Sequence, residues 1–124
     1  MLSQQLQCYI KNEAIRYIGK KYDRIHFNCL TFARLVYQKV GLTLPPLQLN
    51  VTLSQLKNPP VGFVVYLRRK NSKNICRFTH VAILMDDRMC IHCSYFFGGS
   101  VVVSRLDELL DFYSLAVERG DALK

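Results

Sequence analysis

The stretch that most constrains this chain is FNCLTFARLVYQKVGLTLP, from Phe27 to Pro45. Apolar residues recur at Leu30, Ala33, Leu35, Val36, Val40 and Leu42, a helical rhythm that stops at Gly41 and the Pro45-Pro46 pair. Cys29 stands at the head of that helix. Asn28 before it is a good N-cap, so the sulfur sits among unpaired backbone N–H groups at the positive end of the helix dipole. A free thiol titrates near ~8.5 and falls to roughly 3.5 to 7.5 at a helix N-terminus beside a histidine, so the position favours a thiolate and asks for a base elsewhere in the chain.

The rest of the chain frames that helix. Ser3 to Gly19 places Leu6, Ile10, Ala14, Ile15 and Ile18 on one side, a first amphipathic helix. The polar segment KKYDRIHFN then brings Tyr22 and His26 close to Cys29 in sequence. Beyond the cysteine helix lies an irregular passage in which Thr52 or Ser54 can start a brief helical turn, closed by Pro59-Pro60. From Gly62 the rhythm changes: GFVVYLRR, FTHVAILM, RMCIHCSYF, VVVSRL and FYSLAVER each read as a strand. The KNSKN tip, Asp86-Asp87 and Gly98-Gly99-Ser100 separate the first four, and Ser104 is placed to cap a short helix through RLDELLDF before the last. Helices followed by hairpins predict an α+β fold, with the N-terminal helices packed on one face of an antiparallel sheet of about five strands.

Length and composition allow one domain, residues 1–124, with an ordinary core. Half the residues are hydrophobic and no apolar run approaches the ~18 residues of a membrane span, so no span and no Sec signal are expected. Five cysteines without such a signal fit reduced thiols and synthesis in a cytoplasm. The balance of 17 Lys+Arg against 9 Asp+Glu, +8 in all, attracts polyanions in general. No nucleic-acid motif accompanies it, so no specific nucleic acid is expected.

Three histidines are available: His26, His80 and His92. On the FTHVAILM strand His80 shares a face with Ala82 and Leu84, and the short turn at Asp86-Asp87 brings His92 beside it. A cysteine at a helix start, a histidine to take its proton and a second ring to hold the first compose an activated nucleophile. A metal site offers a rival use for Cys90, His92 and Cys93, with Cys76 at hand, but residues three apart on a strand point to opposite faces. No metal and no cofactor are expected.

These residues resemble the NlpC family of papain-like cell-wall cysteine peptidases. FNCLTFARLVYQKVGLTLP is similar to the family's nucleophile helix, VGFVVYL to the strand that follows, and THVAILMDDRMCIHCS to its two histidine-bearing strands with the same interval. The resemblance runs from about Lys21 to Ser94 and implies a papain-like fold, Cys29 as nucleophile, His80 as general base, His92 as the polar third member and Tyr22 as a hydroxyl near the oxyanion. It implies an amidase or endopeptidase acting on peptidoglycan stem peptides or another peptide. This sequence departs from the family pattern at Asn28, where Asp is usual, at Leu30, where Ser is usual, and at Gly62-Phe63, where Gly-Asp is usual. A phage component or a toxin delivered to the cell wall by a secretion machine, with an immunity or assembly partner, fits a chain without a Sec signal. Two other readings start from the same residues: a silent domain binding anionic polymers through the Arg68 to Arg77 hairpin, or a papain-like acyl hydrolase or transferase acting on protein or lipid.

Overall fold

The computed structural model describes residues 2–46, 51–52, 54–71 and 79–116. Two helices come first: α1 spans Gln4–Ile15 and α2 spans Cys29–Lys39. Ser3 caps α1 by accepting from the Leu6 N–H at 3.1 Å, and the turn after it ends at Gly19, whose φ of 92° suits a residue without a Cβ. A short 3-10 turn over Gln55–Lys57 precedes the sheet.

The strands are β1 (Val64–Arg69), β2 (His80–Leu84), β3 (Met89–Ser94), β4 (Ser100–Arg105) and β5 (Tyr113–Leu115), with a third helix, α3 (Leu106–Phe112), before the last. They form one sheet in the order β4-β3-β2-β1-β5, every pairing antiparallel. The α+β, papain-like architecture expected from the sequence is the one observed. The KNSKN hairpin tip, the expected start of the second strand near Ile75 or Arg77, and the end of FYSLAVER lie outside the described residues.

Strand alternation sorts the core into two layers. One face of the sheet, with Val64, Tyr66, Val81, Ile83, Ile91 and Cys93, packs against Ile10 and Ala14 of α1 and Phe32, Ala33 and Val36 of α2. The other face, with Val65, Leu67, Ala82, Leu84 and Cys90, packs against Leu106 and Leu109 of α3 and against Leu56. α1 and α2 therefore share a face, as expected, and α3 covers the opposite one.

Ser104 does not serve as the cap that the sequence suggests. Arg105 occupies the N-cap position of α3 without a side-chain bond, because Ser104 is still a ladder residue opposite Cys90. The sheet has claimed its backbone, and its hydroxyl points elsewhere. At the β2–β3 turn Asp87 and Arg88 take φ of 57° and 56°, and Arg88 is anchored to the Leu56 carbonyl at 2.6 Å and to Asp107 at 2.8 Å.

Candidate active site

Cys29 opens α2 on a fully formed capping box. Asn28 Oδ1 accepts from the N–H groups of Leu30 and Thr31 at 3.1 and 3.0 Å, and the Asn28 N–H donates to Thr31 Oγ1 at 2.7 Å. The box locks the first turn and with it the direction of the Cys29 side chain. Asn28→Ala is expected to lower stability by about 1 to 2 kcal/mol, read from the urea midpoint. An unchanged midpoint would mean that tertiary packing alone holds the turn.

The sulfur meets the sheet where two strands part. The β2–β3 ladder covers only Ile83↔Ile91 and Leu84↔Cys90, so the His80-Val81 end of β2 runs beyond it. There the backbone N–H groups of Val81, Leu30 and Cys29 itself draw the Cys29 thiol down. Burial nonetheless dominates and raises the thiol above its ordinary value. This corrects the expectation of a resting thiolate: a helix terminus stabilises a nearby anion by about 0.3 to 2 kcal/mol, which desolvation of a largely buried sulfur outweighs.

His80, the residue before Val81, and His92 stand across the same gap. His80 Nε2 and His92 Nδ1 are 2.7 Å apart, with the rings nearly perpendicular at 82°. Both are buried, at 4% and 0% exposure. Burial, and for His80 also its neighbour His92, pushes the pair down to about 3 for His80 and about 4 for His92. Near neutral pH the site is a neutral thiol beside two neutral imidazoles.

Three side chains not singled out as site residues from the sequence complete the surroundings. Tyr113 of β5 stacks on His80 with centroids 5.1 Å apart and 12° between planes, and burial foremost, with a smaller contribution from Cys29, pushes its hydroxyl up. Ser104 Oγ lies 2.9 Å from His92 Nε2, and the Phe97 ring closes on His92 at 5.4 Å. Tyr113 and Phe97 also line a groove of about 610 Å³ together with Arg69, Lys70, Phe96 and Phe112. Phe96 and Phe112 are 69% and 65% exposed there, more than large apolar side chains usually are.

The remaining candidates have other described partners. Tyr22 belongs to the segment joining α1 to α2, tied to the β3–β4 turn by its N–H to the Gly99 carbonyl at 2.9 Å. Its ring packs edge-on against Tyr95 at 5.9 Å, so its described partners are the turn and Tyr95. His26 is exposed, its N–H donating to Asp23 Oδ1. Cys90 and Cys93 point into opposite layers of the core, Cys90 towards the Ser104 carbonyl and Cys93 towards that of Phe27. Cys76 lies outside the described residues, and among the described ones no group of three ligating side chains could hold a metal ion. No helix among the described residues is long and apolar enough to cross a membrane.

An antiparallel sheet carrying two histidines, with a cysteine-headed helix packed on its face, defines a papain-like α+β domain. Solved structures narrow this to the NlpC/P60 fold. The chain is similar to the NlpC/p60 domain of the peptidoglycan hydrolase SagA, at 26% identity and a TM-score of 0.64 over 90% of this chain and 97% of that one. It is also similar to an NLP/P60 family protein from Staphylococcus aureus subsp. aureus Mu50, at 18% identity and a TM-score of 0.67 over 95% of this chain. An NlpC/P60 family protein from Bacillus cereus ATCC 10987 matches 90% of it at 20% identity and a TM-score of 0.70. The chain spans 43% and 39% of the lengths of those two proteins. No family model and no curated protein matches the sequence.

Proposed function

We propose that this chain is a cysteine amidase or endopeptidase that cuts amide bonds in the stem peptides of bacterial peptidoglycan. The observation that carries the reading is the meeting of Cys29 with the His80-Val81 end of β2: the Val81 N–H favours the ionised sulfur, and His80 is held from behind by His92 at 2.7 Å. The NlpC/P60 fold supports the choice of reaction, and the likeness to the SagA domain supports the choice of substrate.

The chemistry follows from the ring nitrogens. His80 Nε2 is engaged with His92, which leaves Nδ1 as the nitrogen free to take the Cys29 proton. The sulfur attacks the carbonyl carbon as the proton moves, and the oxyanion rests on the Cys29 backbone N–H, with the Tyr22 hydroxyl as the proposed second donor. The tetrahedral intermediate collapses to a thioester while His80 returns the proton to the leaving amine. Water, deprotonated by the same nitrogen, then hydrolyses the thioester and restores the thiol.

The test is digestion of purified muropeptides in ¹⁸O-labelled water, read by mass spectrometry. Hydrolysis through a thioester should give shortened peptides whose new carboxylate carries one heavy oxygen. Muropeptides returned intact would overturn the substrate, and shortened peptides lacking the label would overturn the reaction.

A further inference from the structure

Ser104 reaches the far side of the His80–His92 pair, and its oxygen bears on where the protons sit. Two neutral imidazoles sharing one hydrogen bond have two arrangements. In the first, His80 carries its proton on Nε2 and donates it to a bare His92 Nδ1. His92 then carries its own proton on Nε2 and must give it to an acceptor. In the second, every proton is reversed: His92 donates from Nδ1 to His80 Nε2, and the His80 proton moves to Nδ1, the nitrogen to which the proposed reaction assigns the Cys29 proton. Only the first leaves His80 able to act as a base towards Cys29.

The sole atom bonded to His92 Nε2 among the described residues is Ser104 Oγ, at 2.9 Å, with the serine 8% exposed and the Phe97 ring against His92. When the pair holds an extra proton, His92 Nε2 carries a hydrogen wherever the charge resides, so Ser104 must again accept. The hydroxyl thus accepts in both forms that the reaction needs and donates only in the form that cannot react. We propose that Ser104 is a positioning residue that selects the Nε2–H tautomer of His92, and through it the Nδ1-basic tautomer of His80. This rests on the reading of Cys29 and His80 as the reacting pair.

Without the oxygen, the His92 Nε2–H would be buried and unpaired, whereas a bare Nε2 costs less, so the pair reverses. ¹⁵N-detected spectra of the imidazoles at pH 7, where both rings are neutral, read this without any substrate. The wild type should show Nε2–H on His80 and His92, Ser104→Ala should move both protons to Nδ1, and Ser104→Thr should keep the wild-type pattern. Alkylation of Cys29 by iodoacetamide, and kcat rather than KM on muropeptides, should fall roughly 10- to 100-fold in Ser104→Ala and return in Ser104→Thr. A wild type with its protons on Nδ1, or an alanine variant with unmoved nitrogen signals, would overturn the proposal. Should the wild type cut no amide while the tautomers behave as stated, the hydrolase reading fails and the orientation of the pair by Ser104 stands.

Discussion

Cys29→Ala is expected to abolish hydrolysis, a loss of at least about 10⁴-fold, and His80→Ala to cost roughly 10²- to 10⁴-fold. The second figure follows from the resting state. With the thiol raised and the imidazole lowered by burial, almost no thiolate exists near neutral pH, so the proton has to leave the sulfur during attack. A site that stored a thiolate would tolerate the loss of its histidine better, at least in simple alkylation. Here alkylation of Cys29 should be slow near pH 7, slower again in His80→Ala, and should climb with pH into the alkaline range in both. Because the two side chains act as one unit, the double variant should be no worse than Cys29→Ala alone. Additive losses would show that sulfur and ring work independently, and rapid alkylation of the wild type at pH 6 would show that the site stores a thiolate after all.

What the sequence disclosed about this site is what lies within one turn or one hairpin. Asn28, Cys29 and Thr31 are neighbours on a capped helix start, and apolar periodicity together with the following Gly and Pro marks that helix without tertiary information. His80 and His92 are joined by a short turn, so strand alternation alone puts them on one face. Ser104 and Tyr113 were opaque because each arrives from a different strand. Ser104 looks like a helix cap by its local context, and only the β3–β4 register turns it towards His92. Tyr113 reaches His80 because β5 adds to β1 at the edge of the sheet, a pairing that no local pattern announces. The protonation of Cys29 is hidden from the sequence for the same reason. The helix dipole is a local property, whereas burial against β2 is a tertiary one, and the larger effect was the hidden one.

The same burial predicts how the fold meets acid. An unfolded histidine titrates near ~6.5, while in the native protein His80 and His92 are pushed down to about 3 and about 4. The unfolded chain therefore binds more protons, and stability, complete above pH ~6.5, is lost as the pH falls towards these native values. At 1.36 kcal/mol per unit of difference, the pair removes roughly 6 kcal/mol by pH 4, which rivals the 5 to 15 kcal/mol that typically holds a domain together. Two carboxylates act lower on the pH scale. Asp23 is held down by the N–H groups of Ile25 and His26, and Asp107 by Arg88, so both exert their effect only below the usual carboxylate range. Urea midpoints should accordingly drop steeply between pH 6.5 and 4.5, and His92→Asn, which removes one of the two buried rings, should flatten that slope even if it lowers the midpoint at pH 7. A wild-type midpoint constant across the window would mean that the native imidazoles accept protons freely, and the neutral resting site would be lost with it. If the slope is there, the acid limb of any activity profile should coincide with cooperative unfolding, because as the pH falls the unfolded imidazoles take up protons before the resting native pair does.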